Sequence, residues 1–291
     1  MSMHILENEA LRVSVADAGA ELVSVVDKAN GAERIWNADP AVWNRQAPIL
    51  FPFVGKVMDG KYRVGAQVFP MKTQHGFARD RDFECVEATD SAVAHRLTAD
   101  EGTRAIYPYE FRLTVRHRLA AGESRRLYVD WTVENAGDGP MYFSIGGHPG
   151  FMLPQGVRKE DCRVLFPGKD TLEYLHASPA GYALAGPKRL SLVDGAAAYQ
   201  ADIPDTWIFE GGQVKSVGIA LPDGTPYVML NCEAFPILAV WANPKGPFIC
   251  LEPWFGRADD EGFAGTIDQK QDIQCLGAGE RWEITYSIDF M

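Results

Sequence analysis

The chain has 291 residues, 46% of them hydrophobic and 23% charged, with 28 basic against 39 acidic side chains and a net charge of −11. No basic run or stripe interrupts that acidity, so a nucleic-acid partner is not expected and polyanionic ligands are disfavoured. No stretch approaches ~18 consecutive apolar residues, which argues against a membrane partner or span.

Residues 1–9 lack a basic segment followed by an apolar one, so no secretory signal is expected. The five cysteines (Cys85, Cys162, Cys232, Cys250 and Cys275) are odd in number, widely spread and without a Cys-x-x-Cys pair. Reduced thiols in a cytoplasmic protein are the reading.

Strands are expected at 11–15, 21–26 and the apolar run 47–53. Gly55-Lys56-Val57-Met58-Asp59-Gly60-Lys61-Tyr62 imitates a phosphate loop. Tyr62 replaces the hydroxyl residue that holds Mg²⁺, however, and no helical pattern follows, so a strand–turn–strand is expected. Gln74-His75-Gly76-Phe77-Ala78-Arg79 comes next, with an imidazole beside a glycine that permits close backbone approach.

Residues 111–119 and 127–134 alternate apolar and polar, and the Gly-containing segment between them predicts a β-hairpin. The turn at 135–140 leads into 141–145, which stops at Gly146-Gly147-His148-Pro149-Gly150-Phe151. Residues 152–206, rich in proline and weakly patterned, are expected to run irregularly over the surface. Strands are then predicted at 214–221, 227–232, 237–242 and 248–252, with a last one carrying Trp282, Ile284, Tyr286, Ile288 and Phe290 on one face. With 28 glycines and 18 prolines, long helices have little room. One all-β antiparallel sandwich domain over 1–291 is the expectation.

Glu252 falls inside Phe248-Ile249-Cys250-Leu251-Glu252-Pro253-Trp254. A carboxylate there costs several kcal/mol unless it is paired or used. Two histidines and a carboxylate suffice for proton transfer near neutral pH without a metal. Gly-x-Ser-x-Gly, His-Glu-x-x-His and His-x-His are all absent from the chain, so nucleophilic and metal catalysis have no motif behind them. His4, His95 and His176 read as hydrogen-bonded structural residues, and His117 as a core or edge histidine.

The three segments around His75, His148 and Glu252 resemble, in order and spacing, the signature regions of the aldose 1-epimerases (galactose mutarotase-like proteins), nearest the bacterial LacX-like branch. The resemblance covers nearly the whole chain. It implies a large antiparallel β-supersandwich binding a small-molecule sugar on its concave face, with no cofactor and no metal. It further implies Glu252 as general base at the C1 hydroxyl, His148 as general acid at the ring oxygen and His75 as an assisting donor. Neutral pH would leave Glu252 ionised and a histidine protonated, with Glu252 setting the acid limb of a bell-shaped rate profile and a histidine the alkaline limb.

Lys56 stands loosely where galactose-specific members carry an Asn-Arg pair. Asp205 maps to the sugar-binding aspartate. Arg79 suits a phosphate grip, as in hexose-6-phosphate mutarotases. Trp254, Phe255 and Phe77 are candidates for stacking on a sugar. A silent sugar-binding or sugar-sensing protein on the same fold, or an epimerase acting at another carbon, remain alternatives, as do monomer and homodimer.

Overall fold

A computed structural model of the chain describes residues 2–122, 124–199 and 206–291. The largest element is a nine-stranded antiparallel sheet. It runs in the order Ala196–Ala198, Arg163–Leu165, Ser216–Ala220, Pro226–Asn231, Arg281–Phe290, Arg126–Asn135, Phe111–Leu119, Ala92–Thr98 and Glu84–Ala88. Its centre is the hairpin read from the alternating sequence, in register from Phe111 opposite Asn135 to Leu119 opposite Leu127. Odd-numbered side chains of both strands are buried and even ones are not. This is the period-2 signature of a sheet with one wet face.

Against the buried face packs a second antiparallel sheet built from Trp207–Phe209, Ile237–Trp241, Phe248–Phe255, Ile145–Gly147 and Ile49–Leu50, with Gly150–Met152 also pairing the 248–255 strand. Trp131 meets Tyr286 and Phe235, and Phe235 meets Phe255, with ring centroids 4.9–5.8 Å apart. A four-stranded sheet from Met3–Glu7 to Ala32–Glu33 completes the N-terminal region. Among the described residues the longest helix is the four-residue turn Glu101–Arg104, and none is long and apolar enough to cross a membrane.

Three expectations need correction. The apolar run 47–53 keeps regular pairing only at Ile49–Leu50, because the following residues leave the sheet to build loops beneath His75. The strand expected at 248–252 continues to Phe255, with Pro253 opposite Leu238. Part of 152–206 is not surface coil: Arg163–Leu165 and Ala196–Ala198 extend the large sheet, and Val164 and Phe166 are fully buried. Strands of three or four residues are too short to display alternation. The first strand, Met3–Glu7, had no reading at all. The imitation phosphate loop is a 3₁₀ turn leading into the hairpin Lys61–Val64 and Gln67–Pro70, as expected.

Arg34 fastens the N-terminal sheet to the large one. Its guanidinium donates to the carbonyls of Tyr227 (2.6 Å) and Met291 (3.1 Å), lies 3.5 Å from Asp27 and stacks 4.0 Å above the Tyr227 ring. Asp27 keeps a second pair with Arg125, so the loss falls on the buried Tyr227 carbonyl, left without its guanidinium donor. Arg34→Ala should therefore lower stability by roughly 1–3 kcal/mol, read as a fall in the urea midpoint at unchanged slope. A loss within error of zero would remove Arg34 as the fastener.

Candidate active site

Every residue from Phe248 to Phe255 is buried, because both faces of that strand are covered. Ile249, Leu251 and Phe255 point into the main core, whereas Cys250 and Trp254 belong to separate clusters on the opposite face. Glu252 shares that second face by period 2. Ile145 pairs with Phe255 and Gly150 with Cys250. The same register carried across the break at Pro149 sets His148 opposite Glu252, and Nε2 of His148 lies 3.3 Å from the carboxylate. The small Ala239 flanks Glu252 on its other side and leaves the carboxyl room.

His75 arrives from a separate loop. Its backbone N–H donates to the Gly55 carbonyl (2.8 Å), and its Nδ1 accepts from the Gly55 N–H (3.0 Å). The acceptor role at Nδ1 puts the ring proton on Nε2, so the Gln74 terminal amide 2.9 Å away meets it through its oxygen, the amide turned about its axis. The clamp holds His75 at φ +66°, a region uncommon for a non-glycine residue. At the next position, φ +69°, a Cβ would lie 2.2 Å from the Phe51 carbonyl oxygen, so only glycine fits. The His75 and His148 rings meet edge-on at 5.6 Å.

These three groups face a cavity of about 560 Å³, of a size suited to a small ligand. Trp43 tilts over His148 at 4.9 Å and Trp241 approaches it edge-on at 5.4 Å. Trp254 completes the aromatic lining. It sits so close over Gly146 that a Cβ there would meet its ring at 2.5 Å. Both Glu252 oxygens, the Trp254 indole N–H and the His148 Nδ1 are buried without a hydrogen-bond partner in the protein. Buried polar atoms are nearly always paired, and here they are gathered at the wall of one cavity.

Burial decides the protonation. It raises the Glu252 carboxyl well above its ordinary value, and the nearby Trp254 indole opposes this only in part. It lowers His148 to about 3, with the Arg79 charge adding to the shift. His75 is likewise pushed far down by burial, then by His148 and Arg79. Burial thus favours the neutral form of each group, a carboxylic acid beside an imidazole. This runs against the ionised Glu252 expected from ordinary values, because solvent no longer supports the charge. Cys250 offers a third ligand-type atom within 4.8 Å of His148 and Glu252. Burial, followed by the Glu252 charge, pushes its thiol well up, which opposes a thiolate ligand.

Arg79, at the Ala78–Asp80 turn, lines the cavity; it donates to the Gln74 carbonyl (2.6 Å), and its buried Nε has no partner. Lys56 does not line the cavity. Its ammonium bonds the Ala180 carbonyl at 2.7 Å and tethers the loop carrying Ser178 and Pro179, which forms a wall. Asp205 lies outside the described residues. Phe77 and Phe255 pack in the main core. Trp43, Trp241, Gln74 and Asn243 line the site without having been singled out. For Trp241 the available signal was its parity with Glu252 across the 237–242 strand. Trp43 lies in a loop where no pattern points to a face.

A family model described as aldose 1-epimerase matches residues 2–204. The plasmid LacX protein of Lactococcus lactis subsp. lactis is 29% identical over 279 residues, covering 92% of each chain. Among solved structures, a galactose mutarotase related enzyme from Lactobacillus acidophilus is 29% identical, with a TM-score of 0.92 over 100% of this chain and 97% of that one. A galactose mutarotase-like protein from Lactobacillus casei is 30% identical with a TM-score of 0.90, each chain covered completely.

The site carries a stability signature. Because burial raises the Glu252 carboxyl above its ordinary 4.5, the unfolded chain releases that proton first, and stability falls as pH rises from there toward the folded value. Glu252→Gln should match wild type near pH ~4 and exceed it progressively toward pH ~8, by several degrees in melting temperature. His148, lowered from 6.5 to about 3, has the opposite sign. It removes stability as pH falls below its ordinary value, a slope His148→Asn should flatten. Parallel melting curves of wild type and both variants from pH 4 to 8 would overturn this assignment.

Proposed function

The chain belongs to the aldose 1-epimerase family, and from that membership we propose that it interconverts the α and β anomers of a free aldose by acid–base ring opening and closure. The observation that carries the reading is the buried pair Glu252 and His148, 3.3 Å apart and next to His75, in an aromatic-walled cavity.

Sugar hydroxyls donating to the carboxyl stabilise its ionised form, and the proton passes to His148. Glu252 then takes the proton of the C1 hydroxyl while His148 protonates the ring oxygen. The bond from C1 to the ring oxygen breaks, leaving the open-chain aldehyde. His75, whose proton is fixed on Nε2 by Gly55, donates a hydrogen bond to oxygen near C1. Rotation about C1–C2 presents the other aldehyde face, and the same transfers run backward on closure. No net proton is consumed and no covalent intermediate forms.

Polarimetry of freshly dissolved α-glucose and α-galactose tests the reading. Wild type should accelerate equilibration. Glu252→Gln and His148→Asn should each lower kcat by ~10²–10⁴-fold while sugar still binds. A wild type that accelerates no aldose, yet binds sugars as Glu252→Gln does, would instead be a silent sugar-binding protein.

The rate profile separates this protonation scheme from the ordinary one. Activity needs one proton on the pair, so the acid limb belongs to His148, low, and the alkaline limb to the raised Glu252. The expected profile has its acid limb near the lowered His148 value of about 3 and turns down on the alkaline side only at the raised Glu252 value. An acid limb near the ordinary carboxylate value and an alkaline limb near the ordinary histidine value would overturn it.

A phosphorylated hexose is the second reading, favoured by the partnerless Nε of Arg79 at the cavity. On that reading Arg79→Ala raises KM for the 6-phosphate and leaves the free sugar unaffected. Equal changes for both substrates would discard it.

A further inference from the structure

A second convergence of ligand-type side chains lies away from the sugar cavity. His4 comes from the first strand, Asp17 from the turn after Leu11–Ala16, and Cys85 and His95 face each other across two paired strands at the edge of the large sheet. One oxygen of Asp17 takes both imidazoles, His4 Nε2 at 2.8 Å and His95 Nε2 at 3.2 Å. A carboxylate only accepts, so both rings carry their proton on Nε2 and present a bare lone pair at Nδ1.

The His95 ring is fully buried and its Nδ1 has no partner. The His4 Nδ1 lies 3.9 Å from Cys85 Sγ, long for a thiol hydrogen bond, while that thiol lies 3.4 Å from the Glu87 carbonyl. One ligand atom from each of His4, Cys85 and His95 falls within 4.8 Å of the others. Metal-bound histidines characteristically donate their second N–H to a carboxylate, and here one carboxylate serves two rings. Ligand bonds of ~2.0–2.3 Å from a tetrahedral Zn²⁺ place its donors roughly 3.3–3.6 Å apart; His4 Nδ1 and Cys85 Sγ at 3.9 Å are near that spacing, and the set draws together on binding.

We propose that His4, Cys85 and His95 form a binding site for a Zn²⁺-class divalent cation, with Asp17 orienting both imidazoles, and that the bound ion staples the first strand to the edge of the nine-stranded sheet. Two nitrogens and a thiolate select a borderline-soft ion over Mg²⁺ or Ca²⁺. Binding releases one proton, from the Cys85 thiol. The partial exposure of His4 and Asp17, 23% and 22%, gives the ion an entry path and leaves a fourth position for water.

Metal-free protein carrying no polyhistidine tag, titrated with Co²⁺, provides the test. Wild type should develop the near-ultraviolet thiolate-to-cobalt charge-transfer band, saturating at one equivalent. Cys85→Ser should abolish the band, whereas Cys250→Ser, which removes the thiol beside Glu252, should retain it. His4→Ala, at a partly exposed position, should fold by circular dichroism and bind at least ~10-fold more weakly. Zn²⁺ should raise the melting temperature of wild type and not that of His4→Ala. No band in wild type, a band that survives Cys85→Ser, or one lost in Cys250→Ser would each overturn the proposal.

Discussion

The 248–255 strand is covered on both faces, and the site follows from that coverage. A strand with one wet face would have left Glu252 solvated, with an ordinary carboxylate acidity and no reason to hold a proton at neutral pH. The large sheet takes the odd side chains into its core, while loops bearing His75, Trp43 and residues 177–181 roof the even ones. The carboxyl is thereby kept among aromatic rings, with the His148 imidazole 3.3 Å away.

The supporting residues show how a desolvated pair is kept in place. His148 is fixed by main-chain pairing on either side of it, at Gly146 and Gly150. His75 is held by two hydrogen bonds to one residue, Gly55. Trp43 is held from below, where Asn243 donates to the Val42 carbonyl and the Trp36 indole to that of Trp43. Lys56 secures the far wall. His75 and His148 are thus oriented by main-chain groups of neighbouring segments, which is the preorganisation that electrostatic catalysis requires. The price is a set of buried polar atoms that no part of the chain satisfies.

Much of the architecture was legible because alternation survives in long strands. The hairpin 111–119 and 127–134 and the final strand could be read face by face. Three-residue strands such as Arg163–Leu165 carry too few positions to reveal a period, and Met3–Glu7 alternates between exposed residues and the single buried Leu6. At the site, glycine and proline beside His75 and His148, and a charge within an apolar strand, pointed to the residues that now face one cavity. Lys56 misled because a lysine on a flexible stem reads as a ligand contact whether it faces a sugar or a carbonyl. Trp43 and Trp241 were hidden because pocket walls and cores use the same residues, and only the register between strands says which face a ring occupies. Protonation was hidden more deeply, since it depends on how much water the finished fold removes.

The clamp between His75 and Gly55 has an evolutionary consequence. It asks two things of the residue at position 75: tolerance of a left-handed backbone, φ +66°, and a side-chain acceptor two bonds from Cβ to receive the Gly55 N–H. Asparagine meets both, since it is enriched in that backbone region and carries an amide oxygen at the corresponding place. Histidine and asparagine codons differ by a single base. A lineage of this protein can therefore trade the titratable ring at position 75 for an amide while keeping the hydrogen bond from Gly55.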